Sequence, residues 1–222
     1  MPFNTYDVFA YLSSGSLVVA AIDVLHGQGW ILKKDHPLAL DVFLVLAAYI
    51  MGHIVAHVSS TILENGLVRR GLLFPSSVLL GKSRWGFPYL LPHYHRPLHE
   101  ETKKRLLAAV HARGFAGSGD ALFFHVFGVL KGDSATMARC ESFRNLYGFA
   151  RNISLSLFAV GVLIIVGPSA KEGPSIPYGF AWAAFALSGL MLLRYLKFLR
   201  LYTHELFVTY AELPPATSEK AK

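Results

Sequence analysis

Apolar residues gather into four long runs separated by polar or turn-rich connections. The first covers residues 8–30 and is weakened near its far end by Asp23 and His26. The second covers 37–62, with LALDVFLVLAAYIMG its most apolar stretch. The third, ISLSLFAVGVLIIVG, has no polar face and stops at Gly167 and Pro168. The fourth, YGFAWAAFALSGLMLL, follows the turn-rich KEGPSIP and ends against Arg194. About 20 helical residues cross roughly 30 Å of hydrocarbon, so each run predicts a membrane span. The expected fold class is all-α: an integral membrane protein with four transmembrane helices and a small helical domain between spans two and three.

Between spans two and three the pattern changes. HEETKKRLLAAVHARG reads as an amphipathic helix with Glu100 and Glu101 at its start, Gly114 at its stop and Leu106, Leu107 and Val110 as its stripe. Asp120 is the expected N-cap of a short apolar helix over 121–130. The stretch 67–97 has too many Pro and Gly for regular elements. Its Trp85, Phe87, Tyr89 and Tyr94, with Arg84 and Arg96, suit a headgroup interface or a packed loop. From Ser134 a helix is expected to run straight into span three, about 50 Å in all, so that it projects beyond the hydrocarbon as a stalk. The predicted division is 1–63 for spans one and two, 64–150 for the helical domain and stalk, 151–204 for spans three and four with a basic extension, and 205–222 for a tail flexible at its end.

Composition agrees with membrane insertion: 53% of the 222 residues are hydrophobic and 16% charged, against about a quarter charged in soluble domains. Mean hydropathy is +0.42. Residues 1–7 carry no Lys or Arg, and no small-residue cleavage site follows, so no cleavable leader is expected. The single cysteine, Cys140, excludes an internal disulfide framework and a multi-cysteine zinc site. Of the 21 Lys and Arg, thirteen lie between spans two and three and five after span four, with three in the other two connections. Four spans place those eighteen on one side, predicted to be the cytoplasmic one together with both termini. No direct nucleic-acid partner is expected.

Polar residues inside the runs are the candidates for chemistry. His53 and His57, in IMGHIVAHVSS, are one helical turn apart beside a small-residue row of Ala48, Gly52, Ala56 and Ser60. Such a row lets helix backbones approach closely, so the histidines are expected to face protein and the chain to form a homo-oligomer. With Asp23, His26 and Asp41 they are the intramembrane polar or pathway candidates. Asp23 and His26 are read as a pair near the water boundary that adjacent spans could bring close to Asp41. Arg144 and Arg151 on the stalk, and Arg194, Lys197, Arg200 and His204 at helical spacing, are the candidates for signal coupling or anionic headgroup binding.

An alternative is a zinc or iron enzyme acting on lipid, with His53, His57, His93, His95 and His99 as ligands; the leading reading expects no cofactor. That pattern follows the logic of membrane di-iron hydroxylases but departs from it, since the chain has no paired His-His and no repeated HxxHH box. GFAGSGDALFF lacks a following G-K-[ST], Ser118 lacks G-x-S-x-G flanks, and RLYTHE spaces Arg200 and His204 one residue short of a ribonuclease-type pair. In span plan the chain resembles the small four-span membrane subunits of bacterial anti-phage defence systems. The resemblance implies an inner-membrane sensor, effector or pore, controlled through its cytoplasmic domain by a protein partner or small-molecule signal. A membrane scaffold for a cytoplasmic protein is the further alternative.

Overall fold

The computed structural model describes residues 5–26, 29–31, 37–83, 89, 91–167 and 177–213. Arg84, Trp85, Phe87, the connection 168–176 and the tail 214–222 lie outside the described residues. Helix α1 is Thr5–Leu25 and α2 is Leu38–Ser59; a π-helical segment, Ser60–Leu72, continues α2. Then come α3 (Pro75–Leu79), α4 (Pro92–His95), α5 (Glu100–Ala112), α6 (Asp120–Leu130), α7 (Ser134–Val166) and α8 (Tyr178–Ala211). All regular structure among the described residues is helical. Four of these stretches are long and apolar enough to cross a membrane: Val8–Leu25, Leu38–Leu79, Ser134–Val166 and Tyr178–Ala211. Helix α7 is unbroken over 33 residues and α8 over 34, as their lack of internal proline allows.

The proline-rich 67–97 stretch is more regular than expected. Leu73 stops the π-helical segment by adopting φ 70°, and Pro75 and Pro92 then occupy the first turns of α3 and α4. There proline's missing N–H costs nothing, because the first-turn donors have no helical acceptor.

The chain divides into two compact units, Met1–Glu64 with Asn145–Tyr195, and Asn65–Arg144 with Leu196–Lys222. In the first, α1 and α2 pack backbone against backbone. A Cβ on Gly15 would fall 1.8 Å from the Ala48 carbonyl oxygen, and one on Gly52 would fall 1.9 Å from that of Tyr11. The small-residue row of α2 is therefore covered by α1 of the same chain, so it gives no support to an oligomer. The buried positions are Ala48, Gly52, Val55 and Ser59, while Ala56 and Ser60 are only half-buried. A strict four-residue row drifts about 40° per step round a helix of 3.6 residues per turn, whereas alternating steps of four and three hold one face.

Helix α7 is tied to three others by side chains two residues apart. Asn152 Oδ1 accepts a hydrogen bond from Ser59 Oγ of α2 at 2.8 Å, and Ser156 Oγ donates to the Ser14 carbonyl of α1 at 2.8 Å. Ser154 lies on the opposite face and meets Ser188 of α8. All five serines and Asn152 are buried. The outward faces are apolar, including Val42, Phe43, Leu46, Ile50 and Ile54 on α2 and Phe180, Trp182, Leu187, Leu190 and Leu193 on α8. Polar groups inside and large apolar groups outside is the arrangement that suits a lipid solvent.

The second unit has a conventional apolar core: Leu72, Val78, Leu79, Leu106, Val110, Leu122, Val126 and Leu130 are buried with Leu199, Leu206, Phe207 and Tyr210. Helix α5 places Leu106 and Val110 inward as its stripe requires, with Leu107 at the edge. Asp120 is not the N-cap of α6. Gly119, at φ 63°, holds that position, and Asp120 instead pairs with Arg69 at 2.5 Å and accepts from Ser76 Oγ at 3.3 Å. Ion pairs from Arg105 to Glu212 (3.1 Å) and from Arg139 to Glu205 (2.7 Å) join α5 to the residue just after α8 and α7 to the last turns of α8.

Candidate functional site

In the first unit the predicted polar residues occupy different environments. His53 and His57 are both exposed, at the margin of the contact face through Ala48, Gly52, Val55 and Ser59. His53 stacks on Tyr11 with ring centroids 4.1 Å apart and meets Tyr49 edge-on at 4.7 Å. Asp23 is buried and anchors the start of the connection after α1, where its carboxylate accepts the backbone N–H of Trp30 at 3.0 Å and of Ile31 at 3.1 Å. His26 Nδ1 bonds the Ile22 carbonyl at 2.9 Å, one turn back along its own helix. Asp41 is exposed at the edge of a cavity of about 560 Å³ between α1 and α2. Asp23 and His26 border a mostly apolar cavity of about 390 Å³ on the same pair of helices.

Arg151 departs most from the picture of an open stalk residue. Its Nη1 donates to Glu64 Oε2 at 2.7 Å, and the two side chains are only 14% and 23% exposed. Arg144, seven residues earlier, forms an exposed i, i+3 pair with Glu141 at 3.2 Å. The two arginines therefore do different jobs: one closes a mostly buried ion pair and the other sits in water.

The five histidines of the metal alternative are divided between the units, His53 and His57 in the first and His93, His95 and His99 in the second. Among the described residues no three His, Cys, Asp or Glu side chains come together in a way that could hold a metal ion. His93 and His99 are exposed, while His95 is 8% exposed. Neither ring nitrogen of His95 has a hydrogen-bond partner among the described residues. Burial holds its pKa below the ordinary histidine range.

In the second unit, His93, Tyr94 and Arg96 face Lys197, Arg200 and Leu201 across a cavity of about 430 Å³. The walls meet through one bond: Arg200 Nη2 donates to the Arg96 carbonyl at 2.7 Å. Tyr94 is buried, its hydroxyl donates to the Leu73 carbonyl at 2.8 Å, and burial pushes its pKa up. Lys197, Arg200 and Leu201 share a face because they are spaced by three and four along α8. The basic stripe read from the sequence is split by the fold: Arg194 belongs to the first unit and Lys197, Arg200 and His204 to the second.

Sequence reasoning missed the buried polar groups Ser14, Ser59, Asn152, Ser154 and Ser156 that bind the helices, and it missed Glu64 as the partner of Arg151. The signal available was the alternation NISLS within an otherwise apolar run, which places hydroxyls on two opposite helix faces.

Comparison with protein-family models, with curated proteins and with solved structures finds no match to this chain. Function must therefore be argued from the site alone.

Proposed function

We propose that the chain is a multi-pass membrane protein that works without catalysis, as a sensor or effector. Its helical unit of residues 65–144 and 196–222 takes a signal, and its four apolar helices respond. In this reading it is an oligomer in the inner membrane of a bacterium, with that unit and both termini in the cytoplasm. The likeness to four-span subunits of anti-phage systems belongs to the same proposal and rests on the span plan.

The observation that supports it is the continuity of α8. From Leu190 to Ala211 the helix contains neither glycine nor proline, so the segment that carries outward apolar Leu190 and Leu193 also carries Lys197 and Arg200 of the basic cavity. In this reading the uninterrupted helix is the route by which a signal at the cavity reaches the apolar segment. The test is overproduction in bacterial cells loaded with a potential-sensitive dye, with the purified protein sized by light scattering. Depolarisation together with an oligomeric mass is expected. Retained potential with a monomeric mass would end the effector reading. One or two equivalents of zinc or iron in untagged protein would move the assignment to a metal enzyme, and co-purification of a soluble protein without depolarisation would move it to a scaffold.

A further inference from the structure

We propose that the cavity between His93, Tyr94 and Arg96 on one side and Lys197, Arg200 and Leu201 of α8 on the other is a binding site for a phosphate group. Its volume of about 430 Å³ lies within the range of small-ligand pockets, about 300–1,000 Å³. Three permanent cations border it and no Asp or Glu lines it; the acids that follow Arg96 in the chain are Glu100, which pairs with Lys103 at 3.8 Å, and Glu101, one residue further along α5. The next acid along α8, Glu205, is taken by Arg139 at 2.7 Å. Like charges gathered round one partly desolvated space repel one another, and an anion turns that repulsion into attraction.

Hydrogen-bond accounting points the same way. The bond to the Arg96 carbonyl fixes the Arg200 guanidinium in place, yet its Nε–H is buried without a partner among the described residues. A guanidinium desolvated on one edge and bordering the cavity with another gains more from a nearby anion than one free in water. Tyr94 does not compete, since its hydroxyl is engaged by the Leu73 carbonyl. Two guanidinium forks and one ammonium suit a tetrahedral, multiply charged oxyanion better than a single carboxylate. A lipid headgroup and a free phosphorylated compound present the same chemistry. The site does not depend on the chain acting as an effector.

The experiment uses the full chain and the variant Arg96→Gln/Lys197→Gln. Both positions are exposed, so the charges are removed without opening the core. Thermal midpoints are followed in detergent with added pyrophosphate, with chloride at matched ionic strength as control. They are also followed in nanodiscs of phosphatidylcholine with and without phosphatidylglycerol. Wild type is expected to gain stability from at least one phosphate source, and the double variant to need about tenfold more or worse for the same gain. A second variant, Lys104→Gln/Lys131→Gln, removes equal charge elsewhere on the surface and is expected to behave as wild type. A response to pyrophosphate identifies a free phosphorylated ligand; a response confined to phosphatidylglycerol discs identifies a headgroup. No response to either source, or equal responses from wild type and Arg96→Gln/Lys197→Gln, would overturn the site. Binding without any effect on membrane potential would leave the site standing and count only against the effector reading.

Discussion

Ser154 and Ser188 bond to each other's backbone: Ser154 Oγ donates to the Ser188 carbonyl at 2.9 Å, and Ser188 Oγ donates to the Ser154 carbonyl at 2.8 Å. The reciprocity fixes both the depth and the rotation of α7 against α8. Removing one hydroxyl leaves the other bond in place. We expect Ser154→Ala and Ser188→Ala each to cost about 0.6 kcal/mol, at most about 1.7, and the double variant to cost nearly the sum. Unfolding titrations in mixed detergent micelles measure this; a double variant as stable as wild type would show that the pair is incidental.

Gly15 and Gly52 mark the closest backbone approach, between α1 and α2. A methyl group at Gly52 would overlap the Tyr11 carbonyl at 1.9 Å, and because the obstacle is backbone the helices must separate. Gly52→Ala is expected to lose about 2 kcal/mol or more through overpacking and lost contact. Gly189→Ala is the control: nothing lies within 4 Å of its Cβ position, so it should be neutral or stabilising by up to about 1 kcal/mol. Equal effects of the two substitutions would refute the close approach.

The Arg151–Glu64 pair is mostly removed from water. Arg151→Glu sets two carboxylates against each other and should destabilise the first unit by about 3–5 kcal/mol, the scale for breaking a buried pair. The reversed pair Arg151→Glu/Glu64→Arg should recover much of that loss. Circular dichroism melts of wild type and the two variants decide it: no recovery in the reversed pair would mean that Arg151 is held by something other than Glu64.

His95 gives the fold a pH dependence with a definite sign. Burial lowers its pKa below the unfolded value near 6.5, so the unfolded chain takes up a proton more readily than the folded one. Stability contributed by the neutral ring is complete above pH 6.5 and is lost as pH falls through that value toward the folded pKa. His95→Phe keeps a ring in place and removes the titration. Its thermal midpoint should decline less than that of wild type between pH 7.5 and pH 5.5; parallel declines would exclude His95 as the source.

Much of the architecture was legible because it depends on local quantities. Runs such as LALDVFLVLAAYIMG announce their length and apolarity directly, and the absence of proline between Ser134 and Gly167 made α7 readable as one helix. Leu106 and Val110 could be placed inward from spacing alone. The sequence misled where rotation mattered. His53 and His57 looked inward because their neighbours Gly52 and Ala56 are small, but the contact face drifts to Val55 and Ser59, leaving both residues exposed at its margin, where the His53 ring stacks on Tyr11. Asp120 looked like a cap, yet Gly119 took that role because a left-handed φ suits glycine, and the carboxylate was released to Arg69.

By itself, then, the sequence determined four helices long and apolar enough to cross a membrane, two of them continuous over more than 30 residues, because hydrophobic length and helix continuity are summed over neighbours in the chain. Only the tertiary structure decided which polar groups meet: Ser154 with Ser188, 34 residues apart, Arg151 with Glu64, 87 apart, and Arg200 with Arg96, 104 apart. Those pairings depend on the rotation and depth of each helix against its neighbours. A side chain one position along a helix points about 100° away, so a register undetectable in composition decides whether a charge is buried against a partner or left in solvent.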